Sequence, residues 1–158
     1  MAAPDCGAVP AGATLTVLGG STCQLDFTYP GSFTWTLPAG LQGLQALVVG
    51  AGGGAFVSTA DDYGYAGSGG DVRYVDYSAA APGGTAAIVV GTGGESSATA
   101  ATPGAVSSTT IGGLTSSATG GPAGISTSWC SAEGLGTITG NGNGNSAAVD
   151  QPAGDAGA

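Results

Sequence analysis

The glycines of this chain are clustered between short apolar segments, and this arrangement limits the chain to strands and extended connections. Of the 158 residues, 33 are glycine. Runs of them occur at Gly52–Gly54, Gly67–Gly70, Gly91–Gly94, Gly112–Gly113, Gly120–Gly121 and in the GNGNGN stretch from Gly140. Glycine in a helix interior costs about 1 kcal/mol relative to alanine, and no stretch of about ten or more residues has helical periodicity. The sequence therefore predicts an all-β chain.

The first half of the chain contains segments in which apolar and polar residues alternate. SFTWTL places Phe33, Trp35 and Leu37 on one side and hydroxyl side chains on the other, which is the pattern of a half-buried strand. The turn dipeptide Pro30-Gly31 precedes this strand, so we expect it to form a hairpin with residues 24–29. The predicted core consists of Phe33, Trp35, Leu37, Leu47 and Val49.

The second half predicts further strands that are separated by glycine-rich connections. DVRYVDY and TAAIVV are divided by Pro82-Gly83-Gly84, and two Ser/Thr-rich strands are divided at Gly112-Gly113. The connections allow two interpretations: polyproline-II or polyglycine segments that pack closely, or flexible loops. Residues 134–158 have few apolar anchors, and irregular structure is expected there.

One glycine run has the spacing of a dinucleotide-binding loop. Gly50, Gly52 and Ala55 follow the apolar residues 46–49, and Asp71 lies where a ribose-binding acid would be. Such a loop needs a helix directly after the glycines to hold the pyrophosphate. Here β-branched residues, paired aspartates and more glycines follow, and Asp71 precedes a strand instead of ending one. The context therefore argues against nucleotide binding.

The charge balance excludes several classes of partner. The chain carries ten acids, one basic residue, Arg73, and a formal charge of −9. Nucleic acids and anionic membranes are bound by clustered Lys and Arg, so neither is an expected partner. No apolar stretch is long enough to insert in a bilayer, and the first residues lack the basic and apolar regions of a signal peptide. A neutral, hydroxyl-rich surface is typical of extracellular and virion proteins.

The three cysteines, Cys6, Cys23 and Cys130, leave two alternatives open. Cys6 and Cys23 can close a short loop by a disulfide, with Cys130 free or paired between chains. Alternatively, all three are reduced and partly buried thiols. No metal site is expected, and zinc in particular is excluded, because the chain has no histidine and no C-x-x-C pair.

Histidine and lysine are both absent, which removes the base or the electrophile from most catalytic sites. We therefore expect no enzymatic activity and no cofactor. Asp61 and Asp62 are most simply a solvated acidic loop; the alternatives are a carbohydrate-active site and calcium binding together with Asp71. For the carbohydrate-active site, the candidate partner acids are Asp71, Asp76 and Glu95.

Aromatic residues beside these acids predict a binding surface. Tyr63 and Tyr65 follow Asp61 and Asp62, and rigid aromatic faces with polar neighbours suit sugars or protein partners. Trp129 is a candidate member of this surface, although it also fits a role as a core or interface anchor. The candidate binding residues are therefore Asp61, Asp62, Tyr63, Tyr65 and Trp129.

The segment FTYPGSFTWTLPAGLQGLQALVVGAGGG resembles a glycine-rich domain family whose members have an aromatic-Pro-Gly hairpin, an apolar strand and a GAGGGG run. VGTGG and ATGGPAG, further along, match the same family, and the resemblance covers residues 25–125. It implies a jelly-roll-like antiparallel β-sandwich with glycine-rich, polyproline-II insertions. Such domains occur in phage tail fibres, minor tail proteins and bacterial surface proteins, and they share no catalytic residues.

These observations together predict a three-part organisation and a structural role. Residues 1–24 form an N-terminal arm, residues 25–125 the glycine-rich sandwich and residues 126–158 an irregular segment. We expect a non-enzymatic virion protein of a bacteriophage: a capsid decoration, head-fibre or tail-associated subunit at the virion surface. Expected partners are other virion subunits, further copies of the chain (a trimer fits) and host glycans. The alternative is an adhesin or filament subunit secreted to the bacterial cell surface.

Overall fold

Every regular element in the described part of the chain is a β-strand. The computed structural model describes residues 6–57, 64–77, 80, 82–124 and 138–140, the last three by their backbone. The strands are β1 (Ala13–Gly19), β2 (Thr22–Phe27), β3 (Gly31–Thr36), β4 (Gln45–Val49), β5 (Phe56–Val57), β6 (Gly64–Tyr65), β7 (Val72–Asp76), β8 (Thr85–Val90), β9 (Ser107–Ile111), β10 (Leu114–Ala118) and β11 (Ile138–Gly140). The predicted all-β class is confirmed.

Two sheets form a sandwich. One has the strand order β10-β9-β8-β3 and is antiparallel throughout, and the other has the order β11-β7-β4. Strand β4 contacts β9 and β10 across the sandwich, and β7 contacts β10. The predicted antiparallel β-sandwich is confirmed, with one parallel pairing, that of β11 with β7.

The core lies between the two sheets and is built from alternate residues of their strands. Trp35 of β3 lies opposite Ala86 of β8, which in turn lies opposite Ile111 of β9. Leu37 follows β3 and is the most deeply buried large side chain described, with 2% of its surface exposed. These residues and Tyr77 form one buried cluster, so the prediction that Trp35 and Leu37 are core residues is confirmed.

Tyr77 brings a polar group into this cluster. Its side chain is buried, and its hydroxyl donates a hydrogen bond to the Thr109 carbonyl at 3.1 Å. Burial raises the pKa of Tyr77, and hydrogen bonding with the Thr109 side chain and the Ser116 backbone, which favours the ionised form, offsets that rise only in part. The neutral hydroxyl therefore links the end of β7 to β9 inside the core.

The predicted orientation of the ALVV strand is wrong. Leu47 and Val49, expected inside, have 67% and 51% of their surface exposed, whereas Val48 is buried. Strand β4 pairs with β7 so that Ala46 lies opposite Val75, and both pack against the core cluster. Successive side chains of a strand face opposite sides of the sheet, and a continuous apolar run does not indicate which set faces the core.

The predicted hairpin around Pro30-Gly31 is also wrong. Strand β2 pairs with β1, and β3 pairs with β8, far along the chain. The side chains before and after Pro30 still meet, because the Phe27 and Phe33 rings lie 5.2 Å apart. Pairing with β8 buries Trp35 against Ala86, and a local hairpin with β2 does not provide this burial. By contrast, the predicted turn at Gly112-Gly113 is confirmed, with φ of 57° and 81°.

A disulfide joins the N-terminal residues to the β1–β2 hairpin. Cys6 and Cys23 are bonded; their Cα atoms lie 5.8 Å apart, and the two residues are separated by 17 in sequence number. Strand β2 continues to Phe27, so the arm proposed for residues 1–24 shares a strand with the domain that follows. Cys130 lies outside the described residues.

The C-terminal part contributes a strand that its composition does not predict. Irregular structure was expected for residues 126–158, but Ile138–Gly140 pair with residues 72–74 of β7. Backbone pairing requires no particular side chains, which is why a glycine-rich segment can supply an edge strand. The described residues contain no helix of the length and apolarity needed to cross a membrane.

Candidate functional site

The glycine-rich connections between the sandwich strands pack together into one bundle. Their backbones are hydrogen-bonded to one another, with N to O distances of 2.8 to 3.2 Å. We call this unit the glycine bundle, and it comprises segments 50–55, 67–71, 91–97, 102–105 and 119–124. The alternative that these connections are flexible loops is therefore wrong.

Segment 50–55 lies at the centre of the bundle, because it is hydrogen-bonded to the other four segments. Its N–H groups donate to segments 67–71 and 102–105, as from Gly53 to the Ser68 carbonyl at 2.9 Å. Its carbonyl groups accept from segments 91–97 and 119–124, as Ala51 does from the Gly121 N–H at 2.8 Å.

The hydrogen bonds between the central segment and each of its neighbours recur at every third residue. Gly50 and Gly53 both donate to segment 67–71, whereas Ala51 and Gly54 both donate to segment 102–105. Three residues per turn is the repeat of the polyproline-II helix, whose backbone makes no internal hydrogen bonds and is free to pair outward. The segments therefore have the predicted polyproline-II character, and each turn of the central segment points its backbone groups at successive neighbours.

Glycine is required in the bundle because the backbones approach one another closely. At Gly50, Gly53 and Gly121, an ideal Cβ atom would lie less than 3.0 Å from backbone atoms of a neighbouring segment. None of these residues has a positive φ, so the missing side chain matters here, and backbone freedom does not. The same crowding occurs at Gly54, Gly67, Gly70, Gly91, Gly94, Gly104, Gly120 and Gly124.

The same packing accounts for the run that has the spacing of a dinucleotide-binding loop. In such a loop the backbone N–H groups are free to bind phosphate oxygens. Here the N–H groups of Gly50, Gly53 and Gly54 donate to the carbonyl groups of Asp71, Ser68 and Thr102 respectively. These glycines bind other segments of the same chain, and the element that directly follows the run is strand β5 and not a helix.

Every bundle segment is continuous with a strand of the sandwich. Segments 50–55, 91–97 and 119–124 begin where β4, β8 and β10 end, while 67–71 and 102–105 lead into β7 and β9. The bundle therefore extends both sheets. Its far end consists of β5, β6 and residues 95–102, and we call it the distal end.

The distal end holds an aromatic pair beside hydroxyl groups. Phe56 of β5 lies opposite Tyr65 of β6, with ring centroids 6.1 Å apart. Val57, about half exposed, donates its N–H to the Ser97 carbonyl at 3.1 Å. The Ser97 hydroxyl in turn accepts from the Thr99 N–H at 3.1 Å, which orders the connecting loop. Aromatic faces with hydroxyl neighbours suit contacts with sugars and polar protein surfaces.

A family model described as a glycine-rich domain matches residues 27–158, which is most of the chain. The chain belongs to the glycine-rich domain family. The match begins close to residue 25, where the sequence resemblance starts, and extends beyond residue 125. No curated protein and no solved structure matches this glycine-rich domain.

The structure of the glycine-rich domain describes one of the five candidate binding residues. Tyr65 lies at the distal end and is partly buried against Phe56. Asp61, Asp62 and Tyr63 belong to residues 58–63, which connect β5 to β6, and they lie outside the described residues, as does Trp129. Because only one of the five residues is described, the structure does not test whether they form a shared binding surface, and this stays a prediction.

Sequence reasoning missed Phe56, which the structure places beside Tyr65. The two residues are nine positions apart in sequence, and strands of two residues each are too short for an alternation pattern to be visible. The available signal was the position of Phe56, the first aromatic residue after the GAGGGA run.

The acids considered as partners for Asp61 or Asp62 are dispersed. Asp71 lies at the base of the bundle, where its carboxylate accepts a hydrogen bond from the Thr119 hydroxyl. Glu95 lies at the distal end, with its N–H bonded to the Thr102 hydroxyl at 2.7 Å. Asp76 ends β7. The described residues contain no cluster of three acid or cysteine side chains arranged to hold a metal ion. The calcium and carbohydrate-active hypotheses remain untested, because their first carboxylates lie outside these residues.

Proposed function

We propose that this glycine-rich domain is a non-enzymatic structural protein of a bacteriophage virion, exposed at the particle surface as a capsid decoration, head-fibre or tail-associated subunit. The observation that carries the proposal is the glycine bundle. It is a compact extension of the sandwich whose central backbone is bonded to four other segments. Such a unit is suited to holding a shape and carrying a contact surface at its end.

The bundle supports a structural role better than a catalytic one. Catalytic and phosphate-binding loops keep backbone N–H groups free for the ligand, whereas the central segment donates its N–H groups to protein carbonyls. The chain also has no histidine or lysine to act as a general base.

The distal end is the part that we propose to contact the host surface. It projects from the sandwich at the end of the bundle and carries Phe56, Tyr65 and the exposed Val57. The proposed ligand is a host glycan, because aromatic faces and hydroxyl groups match the apolar and hydroxyl faces of a sugar ring.

Localisation tests the structural role. Particles from the source culture are purified on a density gradient, the chain is quantified by mass spectrometry, and antibodies locate it by immunogold electron microscopy. We expect the chain to copurify with particles at a constant ratio to the major capsid protein and to label their surface. Its absence from particles that are otherwise complete would overturn the proposal.

Variants of the distal end test host contact. Tyr65→Ser removes the ring that packs on Phe56 and should lower cell binding of the purified chain by about tenfold, the effect of losing one aromatic anchor. Tyr29→Ser is the matched control, because Tyr29 is 71% exposed and lies between β2 and β3, outside the distal end. Equal binding of both variants would show that the distal end is not the contact surface.

A second candidate is a secreted bacterial surface adhesin or filament subunit. The Cys6–Cys23 disulfide favours it, because disulfides form and persist in oxidising compartments. The same bond is compatible with a virion surface, so the fractionation above separates the two candidates. Recovery of the chain from the cell-wall or secreted fraction, without particles, would favour the second.

A further inference from the structure

The outer faces of the two sheets differ in chemistry. The four-stranded sheet presents hydroxyl groups from all its strands, among them Thr34, Thr85, Thr110 and Thr115, and the last two are hydrogen-bonded at 2.9 Å. This is the usual character of a sheet face in water. The three-stranded sheet departs from it, because apolar side chains occupy the outer face of β4 and β7.

These apolar side chains form one continuous patch, which we call the β4–β7 face. Leu47 lies directly opposite Tyr74, and Val49 lies opposite Val72, in adjacent cross-strand pairs. Leu47 has 67%, Val49 51% and Tyr74 41% of its surface exposed. Exposed apolar residues are common singly, but a contiguous group of them indicates an interaction surface.

The charge distribution favours a second copy of the chain as the occupant. Each copy carries a formal charge of −9, so two copies repel one another wherever acidic side chains meet. On the β4–β7 face the paired positions are uncharged except at the rim, where Asp76 lies opposite Gln45. A two-fold symmetric interface brings the same patch of both copies together. A patch without charge can meet its own copy in this way without placing like charges against one another.

Residues 141–158 offer little to cover this face. Besides Pro152, they contain a single aliphatic side chain larger than alanine, that of Val149, and two aspartates. They cannot bury two cross-strand pairs of Leu, Val and Tyr, whereas the same face of a second copy supplies matching apolar side chains.

We propose that the β4–β7 face is a self-association interface, in which two copies pack these sheets face to face around Leu47, Val49 and Tyr74. The inference rests on the proposed structural role, since a subunit of an assembly needs a surface for other copies. Such an interface would also cover the apolar side chains of the β4–β7 face, whose exposure is otherwise unexplained because the outer face of the other sheet is polar.

The test measures self-association of the full chain by sedimentation velocity over a wide concentration range. Wild type should form a concentration-dependent oligomer. Leu47→Thr combined with Val49→Thr keeps residues that suit a strand and should weaken association by about a hundredfold or more, because each anchor is lost from both copies. Val89→Thr, on the hydroxyl-bearing face, is the control and should associate as wild type does.

Three results would overturn the proposal. The first is a wild type that remains monomeric at the highest concentration, and the second is an oligomer that the double variant leaves unchanged. The third is a monomeric wild type together with a double variant that melts at a lower temperature and a control that does not. That result would indicate that residues 125–137 of the same chain cover the face. Virion localisation is measured separately, so failure of the interface and failure of the structural role are distinguishable.

Discussion

Five stretches of chain run from the sandwich into the glycine bundle, but the two regions are held together by different interactions. In the sandwich, side chains such as Trp35, Leu37 and Ile111 fill the space between sheets. In the bundle, backbones lie in direct contact, and hydrogen bonds replace side-chain packing. The change occurs within a few residues, for example where Val49 ends β4 and Gly50 begins the central segment.

The difference shows that the two regions respond to opposite kinds of mutation. A sandwich core is destabilised when atoms are removed, because the cavity left behind does not collapse completely. At its glycine contacts the bundle has no side chains to remove, and it is destabilised there when atoms are added, because the obstructing atoms belong to the backbone and cannot rotate away. Matched substitutions in the two regions test this contrast.

The largest effect is expected in the sandwich. Leu37→Ala should lower the free energy of unfolding by about 3.5 kcal/mol, within the range for buried Leu→Ala substitutions. The measurement is denaturant unfolding followed by circular dichroism. Leu114→Ala is the control, because Leu114 is 61% exposed, and it should cost less than about 0.5 kcal/mol. Similar losses for both variants would mean that the sandwich is not packed as described.

An added methyl group in the bundle should cost nearly as much. Gly53→Ala places a Cβ atom against backbone atoms of Gly121 and Pro122 and should lower the free energy of unfolding by about 3 kcal/mol. The neighbouring Gly52→Ala meets only the Ser68 carbonyl at 3.7 Å, an ordinary contact. It should be neutral or should stabilise by up to about 1 kcal/mol, through the lower entropy of the unfolded chain. If the two alanine variants are equally stable, the backbones in the bundle do not approach Gly53 closely enough to exclude a side chain. The proposed difference between bundle and sandwich would then be wrong.

The smallest effect concerns the polar group of the sandwich core. Tyr77→Phe removes the hydrogen bond to the Thr109 carbonyl and should lower the free energy of unfolding by about 1 kcal/mol at neutral pH. Because burial raises the pKa of Tyr77, the folded chain keeps this proton to a higher pH than the unfolded chain does. Stability should therefore fall as pH rises above about 10, the ordinary tyrosine pKa.

In Tyr77→Phe, the free energy of unfolding should fall less steeply as pH rises above about 10, because the contribution of Tyr77 is lost. Any contribution of the other tyrosines to the pH dependence should be unchanged. Chemical denaturation at a series of pH values measures both effects. An unchanged slope above the ordinary tyrosine pKa would indicate that the hydroxyl of Tyr77 is as accessible to water in the folded chain as in the unfolded one.

Several elements were predictable because their signals are local. The alternation in SFTWTL places Trp35 inside, and the Gly112-Gly113 pair supplies the positive φ that a tight hairpin turn needs. The pairing of β3 was not predictable, because it depends on a partner about fifty residues away. For the same reason, the distal end was only partly predictable: Tyr65 was singled out by its neighbours in sequence, whereas the position of Phe56 after the GAGGGA run does not show that it pairs with Tyr65.

The amino-acid sequence alone determined the strand-forming segments, the absence of helical periodicity and the clustering of glycine, because each depends on neighbouring residues. The tertiary structure decided which side of ALVV faces the core, and hence that Leu47 and Val49 are exposed. It also decided what the glycines are for. Glycine permits a flexible loop as readily as a close backbone contact, and only the position of another segment, such as 119–124 beside Gly53, makes the missing side chain necessary.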